Sequence, residues 1–257
     1  MHRRITSTQH LGDESGIRPR AMSLREASEL EKTRLSISSG AEALDRILGA
    51  GFRTGEMVEV FGASGTGKTQ LAIQSSLSAA SAGFTCAYID AEGQFRPERL
   101  SSICENRGYD PAKILPLVYC VRAENTQQQL GSIAMINENE NLRDCKLVVV
   151  DTVTKNFTLE YGGSRMVANR QTALGAYLNR LARDAYIHDR AVLLLNRVAS
   201  VGLDEGAREV DIGGETLRHF VQKVVRLRRR GEEVYASLAD ERTQSEVRMR
   251  ITDRGLE

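Results

Sequence analysis

No two cysteines in the chain are spaced C-x-x-C. The four stand at 86, 104, 120 and 145, and these spacings match no zinc site. Cys86 and Cys120 fall inside apolar runs that read as strands, so buried free thiols in a reducing compartment are expected. No apolar run approaches the ~18 residues of a membrane span, so no membrane partner is expected. The first residues, with Arg3, Arg4 and His10, lack the apolar stretch of a signal peptide. The expected location is the cytoplasm, with nucleoid association if the source is prokaryotic or archaeal. Charge of neither sign prevails: 35 basic residues face 34 acidic ones, for a net charge of +1. That balance neither demands nor excludes nucleic acid, and any surface that binds it has to be a local patch. Internal repeats are also missing.

What is present is material for one core. With 257 residues and 41% apolar content, the chain suits a single α/β domain with an extension rather than two full domains. Residues 1–33 are polar, carry Gly12, Gly16 and Pro19, and read as an arm ending in a helix from about Ser23 to Thr33. The arm is either a disordered tail or a docking segment for a neighbouring subunit. Residues 34–257 then alternate between two patterns. Met57–Phe61, Thr85–Ile89, Leu117–Val121, Leu147–Val150 and Ala191–Leu195 are short apolar strands. Leu71–Ala82, rich in Ala, Leu and Ser, suits a helix. Leu174, Leu178, Leu181 and Ala185 mark one face of another. Val221–Leu227 and Val247–Ile251 read as a closing antiparallel pair. The whole predicts an α/β fold with a mostly parallel central sheet flanked by helices.

The octet Gly62-Ala63-Ser64-Gly65-Thr66-Gly67-Lys68-Thr69 fits G-x-x-x-x-G-K-[ST] in full, after a strand and before a helix. Glycines let successive backbone N–H groups turn inward around phosphate oxygens, and the helix N-terminus adds a favourable dipole. Lys68 is placed for the β- and γ-phosphates of ATP, and Thr69 for Mg²⁺. Asp151 ends the apolar run Leu147–Val150 on the side of such a sheet where ligands bind, and is the candidate metal partner, acting through water. Glu92 follows the strand 85–89, which ends on the same side, and is placed to act as general base. A solvated loop carboxylate is the plainer reading of Glu92 taken alone.

The run Tyr88-Ile89-Asp90-Ala91-Glu92-Gly93-Gln94-Phe95-Arg96-Pro97-Glu98-Arg99-Leu100 resembles a hallmark segment of the RecA/RadA recombinase superfamily, in its archaeal RadA and eukaryotic branch. Ser38-Ser39-Gly40 with Leu44, Asp45 and Leu48, and Asp211-Ile212-Gly213-Gly214, resemble two further segments, and the likeness runs from about Leu35 to Asp253. It implies a RecA-like P-loop NTPase core. Residue by residue it implies that Glu92 activates water, that Arg99 stacks on adenine, that His219 senses the γ-phosphate and that Asn196 and Arg197 lie beside the nucleotide. It places the first DNA-binding loop at Phe157–Arg170, with Arg165 and Arg170, and the second at Ala199–Gly213. Loops of this kind follow a phosphate backbone without reading sequence; flexible connections with incidental arginines are the bland alternative. Arg226, Arg228 and Arg230 share a strand face, which is either an interface for nucleic acid or a neighbouring subunit, or simply solvated.

The chain departs from the family pattern in three places. Arg197 stands where the family usually has a glutamine that relays the γ-phosphate state; arginine cannot accept a hydrogen bond, so it either binds the phosphate directly or weakens the relay. The 33 residues ahead of the core are too few for the family's N-terminal helical domain, and Ala21-Met22-Ser23-Leu24 lacks the aromatic of the subunit-linking motif. The proline-bearing segment that caps a neighbour's ATP is not found, and Gly231–Glu246 is longer and more charged than the family hairpin. These differences point to a single-domain paralogue of RadB or RadC type. The expected function is an ATP-dependent recombinase paralogue that binds single-stranded DNA in homologous recombination and repair, with another recombinase subunit or a second copy as partner. An ATP-gated mediator with little turnover is the alternative. A KaiC-like signalling ATPase is disfavoured by Phe95–Arg99.

Overall fold

A computed structural model describes residues 23–201, 208–239 and 245–257. The chain divides into two units, Met1–Thr33 and Arg34–Glu257. In the first, α1 (Leu24–Thr33) opens with a capping box. Ser23 Oγ accepts from the Glu26 amide at 3.2 Å, and Glu26 Oε2 accepts from the Ser23 amide at 2.7 Å. The reading of 1–22 as an arm, and Ala21-Met22 of the sought linking motif, lie outside the described residues.

The second unit begins with a two-stranded ribbon, β1 (Ser36–Ile37) and β2 (Phe52–Arg53), around α2 (Glu42–Leu48). There follow β3 (Met57–Gly62), α3 (Lys68–Ser81), β4 (Thr85–Asp90), α4 (Pro97–Asn106), α5 (Pro111–Ile114) and β5 (Val118–Arg122). Then come α6 (Thr126–Glu138), β6 (Cys145–Asp151), α7 (Lys155–Glu160), α8 (Val167–Ile187) and β7 (Ala191–Asn196). The remainder is a hairpin of β8 (Val198–Val201) and β9 (Arg208–Asp211), α9 (Gly214–Arg218), and β10 (Lys223–Arg230), β11 (Glu233–Leu238), β12 (Glu246–Thr252) and β13 (Gly255–Leu256).

Among the described residues, nine strands form one sheet in the order β13-β12-β11-β10-β3-β7-β6-β4-β5. From β10 to β5 all neighbours are parallel; β10 to β13 are antiparallel. The central strands are buried on both faces, and the pleat sorts their side chains between two cores. Val58, Val60, Cys86, Tyr88, Leu147, Val149, Leu193 and Leu195 pack with α2, α3 and α4. Met57, Ala87, Ile89, Val148, Val150, Val192 and Leu194 face α6, α7 and α8. Helix α3 is buried although rich in serine, because Ser75 and Ser76 turn their hydroxyls back to the carbonyls of Leu71 and Ala72, at 2.7 and 2.9 Å.

The closing strands form an antiparallel group as expected, but the two that were anticipated do not pair with each other: β11 lies between them, antiparallel to both, and β10 also pairs with β3. The charged residues on either side of it hid β11, yet Val234 and Ala236 alternate into the core. Arg226, Arg228 and Arg230 do share a face of β10. There Arg228 and Arg230 each reach Glu246 at 3.3 Å and Arg248 reaches Glu233 at 3.3 Å, so much of this face is paired with itself. Among the cysteines, 86, 104 and 145 are buried but Cys120 is exposed, contrary to expectation. The reason is position: β5 is the edge strand, and of its residues only Val121 is buried.

A buried glutamine fastens the end of this sheet to the phosphate-side helix. Gln74 Nε2 donates to the carbonyls of Ser39 and Leu256 at 2.9 and 3.1 Å, and its Oε1 accepts from the Leu256 amide at 2.6 Å. Replacing one partner leaves the others buried and unpaired. Gln74→Leu is therefore expected to cost about 1–3 kcal/mol in urea denaturation; an unchanged midpoint and slope would show the link to be dispensable.

Candidate nucleotide site

The C-terminal ends of β3, β4, β6 and β7 open on one side of the sheet, where β3 is followed by the glycine-rich loop and α3. A cavity of about 610 Å³ lies there, lined by Gly62, Ala63, Ser64, Gly65, Gly67, Lys68 and Thr69 of the loop and by Glu92, Asp151 and Arg197 from the neighbouring strand ends. The loop needs its glycines. A Cβ on Gly62 would stand 2.4 Å from the Leu227 carbonyl, and Gly67, which caps α3, has φ +91°. Thr66 is buried under the loop, its hydroxyl donating to the Ala63 carbonyl at 2.9 Å, and does not line the cavity.

Lys68 Nζ donates to the carbonyls of Gly62 and Ala63, both at 2.7 Å. Burial lowers its pKa, while the nearby Asp151 carboxylate works the other way. Asp151 is itself buried, and that raises its pKa; two hydroxyls oppose the shift, with Tyr88 Oη donating to Oδ2 at 2.7 Å and Thr69 Oγ1 at 2.9 Å. Tyr88 stands on β4 and Thr69 on α3, so this carboxylate joins three elements. The Thr69–Asp151 pairing suits a hard cation: both atoms are oxygen donors, and Mg²⁺ completes its shell with waters and phosphate oxygens.

Asp90 shapes the next segment. It is buried at the end of β4, and its two oxygens accept from the amides of Gly93, Gln94 and Phe95 at 2.7, 3.1 and 3.1 Å. The turn is pinned a second time where the amides of Ala91 and Glu92 both donate to the Asp151 carbonyl, at 2.7 and 3.0 Å. Glu92 is thereby set at the cavity wall. Its Oε1 accepts from Thr152 Oγ1 at 2.5 Å and its Oε2 from Arg197 at 2.5 Å.

Other expected residues fall elsewhere. Asn196 is fully buried and does not line the cavity. Its amide nitrogen donates to Glu59 Oε1 at 2.7 Å and the Ile212 carbonyl at 2.6 Å; its oxygen accepts from Thr154 Oγ1 and the Arg197 amide, at 2.8 and 2.9 Å. All four hydrogen-bonding positions of its carboxamide are thus taken inside the protein, where it ties strand ends together. His219 is exposed after α9, with its ring edge-on to Phe220, and does not line the cavity. Arg99 also stands outside the lining; it braces Gln70, which does line it, with Nε donating to Gln70 Oε1 at 2.9 Å, and reaches the Thr252 carbonyl at 3.1 Å.

The segment Phe157–Arg170 is mostly helical. Between α7 and α8 only Tyr161–Gly163 and a single turn at Ser164–Met166 intervene, because no helix breaker follows Gly163. Arg165 is exposed on that turn, and Arg170, already in α8, donates to the Tyr161 carbonyl at 3.4 Å. The second segment, 199–213, holds the antiparallel strands β8 and β9, and residues 202–207 between them lie outside the described residues. The sequence reading missed Gln70, Gln94, Thr152, Val198, Arg229 and Ile251 on the cavity wall, and Tyr88 behind Asp151. Only Thr152 carried a signal, as a hydroxyl directly after the metal candidate.

A strand that leads into a glycine-rich loop, with acidic residues presented by two neighbouring parallel strands, defines a RecA-like P-loop core. A family model described as Rad51 matches residues 31–257. Over 247 residues the chain is 36% identical to a protein of Metallosphaera sedula named DNA repair and recombination protein RadA, covering 90% of this chain and 75% of that one. The chain belongs to the Rad51 family. Among its described residues no helix is long and apolar enough to cross a membrane.

Glu59, on the strand leading into the loop, is buried behind the site. Desolvation pushes its pKa up to about 8, partly opposed by the hydrogen bond from Asn196. Among the described residues its Oε2 has no hydrogen-bond partner. From the ordinary carboxylate value to about 8, the folded state keeps a proton that the unfolded chain has released. Stability therefore falls as pH rises through that window and levels off above it. Glu59→Gln removes the titration, so its melting temperature is expected to exceed that of the native chain at pH 8, with the gap closing towards pH 5. A gap that is constant with pH would show that Glu59 is ionised throughout.

Proposed function

We propose that the protein is an ATP-dependent, single-strand-DNA-binding member of its family that acts in homologous recombination and repair. The observation that carries this reading is the convergence of Lys68, Thr69, Asp151 and Glu92 on one cavity at the glycine-rich loop. In this reading the amides of the loop and Lys68 hold the β- and γ-phosphates of ATP. Thr69 and, through water, Asp151 hold Mg²⁺, which neutralises charge on the phosphates when bound. Glu92 orients and deprotonates the attacking water. Arg99 orders the nucleoside side of the site by holding Gln70. Arg165, Arg170 and the β8–β9 hairpin are the DNA-facing parts, and the partner is another recombinase subunit or a second copy of the chain. The cytoplasm is the compartment in which such a reaction takes place.

A second reading, a nucleotide-gated mediator with little turnover, is favoured by one specific contact, the Arg197–Glu92 ion pair, which occupies the base candidate. ATP hydrolysis measured with and without single-stranded DNA separates the two. Stimulation by DNA supports the first, and tight ATP binding with negligible turnover in either condition supports the second.

Lys68→Ala is expected to abolish nucleotide binding, and unchanged ATP affinity in that variant would sink the site assignment. Glu92→Gln should lower kcat by about 10²- to 10⁴-fold while ATP still binds. Arg165→Ala with Arg170→Ala should weaken DNA binding evenly across sequences. If each arginine neutralises one phosphate, the log–log salt slope should shrink by about 1.4; a loss confined to certain sequences would contradict backbone contact.

A further inference from the structure

Both oxygens of Glu92 are taken by side chains, and the two partners differ in kind. Thr152 lies next to Asp151 and is buried; Arg197 is an exposed cation at the root of the β8–β9 hairpin. The Glu92 side chain is 7% exposed and that of Arg197 57%, so one end of the ion pair is anchored in the protein and the other reaches in from solvent. Both line the cavity of Lys68, and the charge of Lys68 senses both. The main chain of Arg197 is fixed independently of this contact. Its amide donates to Asn196 Oδ1 at 2.9 Å, and its carbonyl accepts from the Ile212 amide at 3.2 Å, across the base of the hairpin. The guanidinium can therefore leave Glu92 without moving the strand end.

We propose that Arg197 is a positioning residue that latches Glu92, holding its carboxylate away from the attacking water and so limiting the rate of hydrolysis. The proposal rests on Glu92 being the base. A base needs a lone pair directed at the proton it takes, within hydrogen-bond reach. Here a charge-assisted contact to a planar cation occupies one oxygen, and the threonine hydroxyl occupies the other. Phosphate binding has no need of a cation at this point, because Lys68 and the loop amides already supply it. Because Arg197 shares its strand end with the hairpin, whatever engages the hairpin bears on the same latch.

The test is steady-state ATP turnover with Mg²⁺ for the native chain and for Arg197→Gln, Arg197→Ala, Arg197→Lys, Glu92→Gln and the Arg197→Gln/Glu92→Gln double variant. Thermal melts and binding of a fluorescent ADP confirm that each variant is folded and loaded. Release of a half-exposed ion pair should raise kcat about fivefold in Arg197→Gln and Arg197→Ala, with KM within about twofold of native. Arg197→Lys, which keeps a charge on Glu92, should stay near the native rate. Added salt should speed the native chain by screening the pair and leave Arg197→Gln unaffected. Turnover in both neutral variants equal to or below native, including no turnover in any of them, overturns the latch. If those variants are slower and Glu92→Gln is inactive, the latch is wrong while Glu92 stands as the base. If instead the double variant keeps a raised rate, Glu92 is not the base, and the proposed role of this site in hydrolysis fails.

Discussion

Asp151 is a carboxylate in a place where carboxylates are costly. It sits at the end of a strand whose preceding four residues are buried, and its oxygen is held by one hydroxyl from the neighbouring strand and one from the helix that the phosphate loop opens. Burial works to neutralise it, and the hydroxyls of Tyr88 and Thr69 keep the charged form bearable. The result is a fixed distance between the loop helix and the sheet. The same residue fixes the next segment through its main chain, since its carbonyl receives the amides of Ala91 and Glu92. Phosphate cradle, metal donors and base candidate are thus spaced by one residue's side chain and backbone together.

Around that point the polar groups are arranged in tiers. Asp90 uses both oxygens on three backbone amides and so converts a strand end into a turn of defined shape. Asn196 uses its whole carboxamide to join the loop-bearing strand, through Glu59, to the segment after β9 and to Thr154. These groups stand behind the cavity wall and position the residues that form it. A displaced strand end at any of them would shift Glu92 or Arg197 by amounts that matter for proton transfer.

The sequence made the phosphate loop, Asp151 and Glu92 legible because each is declared locally: a glycine pattern, an apolar run ending in an acid, an acid after a strand. The parallel sheet was legible for the same reason, as short apolar runs alternate with helical stretches. Strand β11 was not, because its short apolar run sits between charged flanks, and its Glu233 only makes sense once it is seen beside Arg248 of β12. Tyr88 and Ile251 were hidden because their contacts depend on which strands become neighbours, a matter of register rather than composition. The internal ties of Asn196 were hidden on a similar point: of its four partners only the adjacent Arg197 amide lies in its own segment. The Arg197–Glu92 pair joins residues 105 positions apart and had no local signature at all.

The uneven burial of the cysteines has a practical side. The chain contains no tryptophan, so it lacks that intrinsic reporter for following nucleotide or partner binding. Three of its thiols are buried and one, Cys120, stands exposed on the edge strand β5, where desolvation still holds its pKa up to about 11. Thiol chemistry there is selective but slow at neutral pH, since only the thiolate reacts. A dye placed at that single native position, by prolonged reaction under mildly alkaline conditions, would report on the open edge of the sheet without any engineered cysteine and away from the cavity.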